Sequence, residues 1–198
     1  MTNQMGTELN AEELMHLALH ATQKGNPDKA ISLLKQLLVI QPQNGKATYL
    51  IGALHAEIGM YDQAVIEMAR ALELEPDLPT ARFQLGLLHI TSGKVDNAQT
   101  VWSQLDPLGE QNPLYQFKKG ILHLVRDEFG PCITALKAGL ELNTFNEDLN
   151  IDMRRVLLKA EAAMSGQKPN VNDASEDSSQ GGGQHILLSV YHRQDQDN

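Results

Sequence analysis

Histidines, a cysteine and paired acids are the side chains of this sequence that could do chemistry. His55, His89 and His123 recur at intervals of 34 residues. Imidazoles in a regular ladder suggest metal binding. Neighbouring packed helices, however, lie roughly 8–10 Å apart, while a zinc–nitrogen bond is about 2.0–2.1 Å. Three imidazoles each one interval apart do not meet one zinc ion, so they read as half-buried packing groups. His16 and His20 are four residues apart, on one face of a helix, but no HExxH pattern surrounds them. They read as surface histidines. Glu12 with Glu13, and Glu73 with Glu75, read as solvated helix faces. The sequence contains no GxxxxGK[ST], GxSxG or strand-linked GxGxxG pattern. The expectation is a chain with no catalytic residues, no cofactor and no metal, and an enzyme is the weakest of the functional classes.

Composition narrows the partners. The chain has 198 residues and a formal charge of -9. General nucleic-acid binding needs clustered Lys and Arg to displace counterions, so no nucleic-acid partner is expected. An anionic membrane surface is disfavoured on the same ground. No run of about 18 apolar residues is present, so no membrane insertion is expected. The opening MTNQMGTELN lacks a basic and an apolar region, so it is not a secretory signal. Cys132 is the single cysteine, which excludes an internal disulfide. The location expected from these features is the cytoplasm.

The elements that must position any site come from the 34-residue period. Ala30, Ala64, Ala98 and Cys132 keep it, as do Gly52, Gly86 and Gly120, with Ala18 one step earlier. Gly25, Gly59, Gly93 and then Asp127 form another column, and Pro42 and Pro76 a further one. Each interval reads as two helices. Asn10 can cap the first, with Glu13 three residues on completing a capping box. Gly25 suits the left-handed position that ends it. Asn26 caps the next helix, with Pro27 at its first position, where a missing N–H costs nothing. The third interval breaks early, at Pro107, and the fourth turns near Phe129–Pro131. Cys132 falls in the small-residue column, where a buried thiol is inert.

The units Leu14-x2-Leu17-Ala18…Ala30-x3-Leu34…Pro42, Ile51-Gly52-x2-His55…Ala64-x3-Met68…Pro76, Leu85-Gly86-x2-His89…Ala98-x3-Trp102 and Gly120-x2-His123…Cys132-x3-Leu136 resemble the tetratricopeptide repeat (TPR) family, W-x2-L-G-x2-Y…A-x3-F…P. The Trp column departs from it, holding Leu14, Thr48, Arg82 and Gln116, and histidines fill most of the Tyr column. The resemblance implies an all-α, right-handed α-solenoid of helical hairpins. Small residues of the Gly/Ala column let paired helices approach, and the larger x3 partners fill the space between them. The expected organisation is a short extension over 1–10, repeats at 11–44, 45–78, 79–112 and 113–146, and a solvating helix over 147–164 that caps the array. Residues 165–198 form a polar tail expected to be disordered. Within it HILLSVY, residues 185–191, is an apolar segment: Ile186, Leu187, Leu188, Val190 and Tyr191.

The resemblance further implies that first-helix positions 2, 5, 9 and 12 line a concave groove. The residues so selected as partner-binding walls are Met15, Leu19, Tyr49, Ala53, Phe83, Leu87, Ile90, Phe117, Ile121 and Leu124. An aromatic stands at position 5 of three successive units, and a contiguous apolar patch usually marks an interface. The competing expectation is that these residues touch one another. The carboxylate clamp of chaperone-binding TPR domains is not matched, because its positions hold Met15, Leu19, Leu50, Thr80 and Gln84. The expected function is a protein–protein adaptor that takes an apolar or amphipathic segment of a partner. Its own tail segment is an expected intramolecular or intermolecular competitor. The alternatives are a chaperone for secreted or aggregation-prone proteins, or a structural subunit anchored through residues 185–191.

Overall fold

Helix starts follow from local capping chemistry. In the computed structural model, which describes residues 9–166, Asn10 accepts hydrogen bonds from the amides of Glu12 and Glu13, and the Glu13 carboxylate accepts one from the Asn10 amide. That reciprocal box starts α1 (Ala11–Gln23). Asn26 accepts from the Lys29 amide and Pro27 opens α2 (Pro27–Ile40). Next come α3 (Gly45–Glu57), α4 (Tyr61–Leu74), α5 (Pro79–Thr91) and α6 (Val95–Ser103). After a single 3-10 turn at Asp106–Leu108 follow α7 (Pro113–Leu124), α8 (Phe129–Leu142) and α9 (Glu147–Met164). The described residues are thus all-α. None of their helices is long and apolar enough to cross a membrane.

Loop geometry repeats with the period. Gly25, Gly59 and Gly93 take φ of 65°, 81° and 71°, in the left-handed region where glycine carries no Cβ penalty. Asp127 takes the same role at φ 57°. The fourth turn therefore lies just before Phe129, rather than at Phe129–Pro131 as the sequence suggests. Pro131 sits in the first turn of α8, where no intrahelical partner for its nitrogen is needed.

The described residues fall into two compact units, the first ending at Leu78 and the second beginning at Pro79. In the first, α1 pairs with α2 and α3 with α4, and α2 also packs on α3. Leu14, Ala18, Ala30, Leu34, Leu37, Ile51 and Leu54 form its core. A Cβ at Gly52 would stand 3.0 Å from Met68 Cγ, so the small residue sets the helix approach and the x3 residue fills it.

In the second unit α5 pairs with α6 and α7 with α8, and α9 packs on α8. Gly86 repeats the device more tightly: a Cβ there would lie 2.0 Å from Trp102 Nε1. The indole N–H donates to the Phe83 carbonyl at 2.9 Å, so the largest core side chain has no unsatisfied donor. Gly120 faces Leu136 in the same way, at 2.8 Å. Cys132, Met153, Val156 and Ala160 complete this core. Burial pushes the Cys132 thiol up to about 11, so at neutral pH it is a small apolar core residue. The tail segment Ile186, Leu187, Leu188, Val190 and Tyr191 lies outside the described residues.

Candidate interaction surface

The ten groove residues divide by unit. Phe83, Leu87, Ile90, Phe117, Ile121 and Leu124 are all buried in the core of the second unit, Phe83 and Phe117 at 0% exposure. This corrects the expectation that they wall an open groove. Phe83 stacks on Trp102 with ring centroids 5.7 Å apart and meets Phe117 at 6.3 Å. Gly139 draws Phe117 in further, since a Cβ there would stand 2.4 Å from its Cε1. Trp102 and Phe117 fill space that Gly86 and Gly139 leave on the helices opposite, and Phe83 packs on both of these aromatics. The sequence signal for this was the pairing of Trp102 with Gly86 and of Phe117 with Gly139 on another helix, which spacing along one helix does not reveal.

The first unit places its four residues differently. Met15 and Leu19 stand four apart on α1, hence on one face. Met15 is half-buried against the core and Leu19 is 40% exposed. Tyr49 and Ala53 repeat that spacing on α3, and both are half-buried. Burial raises the Tyr49 hydroxyl to about 12, so it stays neutral throughout the physiological range. The unit thus keeps an aliphatic pair on α1 and an aromatic beside a methyl on α3, partly open to solvent. Such side chains can take apolar groups of a peptide.

The histidines are packing and pairing groups. His55 is buried and its Nδ1 lies 2.6 Å from Glu67 Oε2. His123 Nδ1 lies 2.5 Å from Glu128 Oε2. Burial holds the His89 imidazole below its ordinary value, and the nearby Lys94 cation adds to that. Among the described residues no three His, Cys, Asp or Glu side chains gather as a metal site. Sequence reasoning assigned no role to Lys118. It is 6% exposed, and its ammonium donates to the Trp102 carbonyl at 3.0 Å and to Asp106. The signal for it was the early break at Pro107, which shortens α6 and leaves carbonyls in need of a donor.

Comparison with known proteins agrees with this helical arrangement. The family model described as "Tetratricopeptide repeat" matches residues 21–77. No curated protein matches the sequence. Among solved structures, MamA from Desulfovibrio magneticus superposes with a TM-score of 0.59 at 16% identity, over 95% of this chain and 97% of that one. A thermophilic TPR protein from Thermus thermophilus gives 0.60 at 18% identity, over 82% and 94%. Yeast Tom70 gives 0.55 at 18% identity, over 83% of this chain but 33% of that one. At these identities the likeness is one of fold.

Proposed function

Proceeding from a chain of the tetratricopeptide-repeat family, we propose that it is a protein–protein interaction module whose first unit takes an apolar or amphipathic segment of another protein. The observation that carries this reading is the half-buried Met15 beside Leu19, which is 40% exposed, on a first helix that buries Leu14, Ala18 and Ala21 in the core and leaves Leu17 exposed as well, at 42%. Tyr49 and Ala53 supply the corresponding face on α3. The second unit's aromatics are occupied in its core, so the proposal does not extend to them.

Selection from a random peptide display library on the full chain, followed by affinity measurement on variants, tests this. The selected segments should carry apolar residues at helical or alternate spacing. Covering an aliphatic or aromatic side chain is worth about 1.5–3 kcal/mol, and 1.4 kcal/mol is about tenfold in affinity. Leu19→Asp and Tyr49→Ala should each weaken the selected peptide by about tenfold or more, with Leu19→Asp leaving the melting temperature within a few degrees. Unchanged affinity in both folded variants contradicts the proposal.

A further inference from the structure

Helix α6 has 9 residues where α2, α4 and α8 each have 14. It stops at Ser103, and the chain turns through Asp106–Leu108 instead of completing the helix. Beside the missing turns a cleft of about 320 Å³ opens between α6 and α7. Its lining follows from helical spacing on α7. Tyr115, Lys119 and Leu122 share one face, and Arg126 continues the series in the turn beyond. Apolar and cationic groups therefore alternate along it. Tyr115 and Leu122 are half-buried, whereas Lys119 and Arg126 are exposed.

The cations differ in how far they are already neutralised. Lys118 is held by Asp106 and the Trp102 carbonyl, with its ammonium 5.0 Å from the Tyr115 ring centroid. It fixes the cleft floor. Lys119 meets Glu110 only loosely, at 3.6 Å, with both side chains in solvent, a contact that contributes little. Arg126 forms no ion pair among the described residues. His123, at the cleft edge, faces Glu128. Asp106 is the one carboxylate in the lining. In a chain of formal charge -9, two loosely held cations flanking a half-buried Tyr and Leu form a local departure from the overall field.

We infer that this cleft is a second binding site, for an acidic peptide segment of a partner protein in which carboxylates alternate with apolar side chains. The carboxylates pair with Lys119 and Arg126, and the apolar groups lie on Tyr115 and Leu122. The inference goes beyond the proposed function, because it concerns the other unit and the opposite chemistry of recognition.

The test uses the full chain and a labelled octapeptide, Asp-Glu-Leu-Asp-Glu-Leu-Asp-Glu, beside its Asn/Gln counterpart, read by fluorescence anisotropy at low salt. The acidic peptide should bind about tenfold or more tightly than the amide peptide, and salt should weaken it. The double variant Lys119→Glu/Arg126→Glu changes two exposed side chains, so its melting temperature should hold while acidic-peptide affinity falls by about tenfold or more. Leu19→Asp should leave this affinity unchanged, which separates the site from that of the first unit. Equal binding of the two peptides, no binding of either, or wild-type affinity in the folded double variant overturns the inference.

Discussion

At Asp127 the backbone takes φ 57°, the conformation that Gly25, Gly59 and Gly93 take at the equivalent points of the other hairpins. An L-residue there brings Cβ toward the following carbonyl, at a cost of roughly 1–2 kcal/mol. Asp is among the residues that tolerate it best, and its side chain is exposed. Asp127→Gly should therefore stabilise the chain by about 1 kcal/mol, after the larger unfolded-state entropy of glycine is subtracted. Denaturant unfolding followed by circular dichroism checks this. A lower midpoint for the variant would show that the aspartate makes a compensating contact. The same residue shows what a sequence can convey. A column of glycines announces a left-handed turn, and the fourth member is legible only because the period forces it into the column.

At the scale of elements, α9 is the helix whose removal is most informative. It contributes Met153, Val156 and Ala160 to the core of the second unit. It is joined to α8 by paired amides: Asn143 donates to Asn150 Oδ1 at 2.8 Å, and Asn150 donates to the Asn143 carbonyl at 2.8 Å. Arg154 and Asn150 hydrogen-bond the Glu147 carboxylate in its first turn and hold it below the usual carboxylate range. We read α9 as the closing helix of the array, because repeat proteins need a polar outer face at their ends. Loss of a single buried Met or Val costs about 1–5 kcal/mol. A chain ending at Asn146 should then aggregate or melt well below the full chain. A monomeric truncation with an unchanged midpoint, by calorimetry and sedimentation, contradicts that role.

Across the whole molecule, the parts legible in the sequence are those where one residue makes one packing demand. Gly52 with Met68, Gly86 with Trp102 and Gly120 with Leu136 each specify a close helix pair, and the 34-residue columns record them directly. The caps at Asn10 and Asn26 are equally local. The groove was not legible in this way. Whether Phe83 and Phe117 face solvent depends on Trp102 and Gly139, on other helices, and on how close those helices come. Periodicity identifies the face of a helix and not what covers it. Lys118 and the cleft were hidden for a related reason, since they arise from helix turns that are missing. What remains as the central claim is binding by the first unit, through Met15 and Leu19 of α1 and Tyr49 and Ala53 of α3.

The most direct measurement is hydrogen–deuterium exchange of the full chain with and without a peptide selected for binding. Slowed exchange should concentrate in α1 and α3, over Ala11–Gln23 and Gly45–Glu57, because a covering ligand stabilises the helices it contacts against local opening. Protection confined to residues beyond Pro79, with α1 and α3 unchanged, would contradict the account.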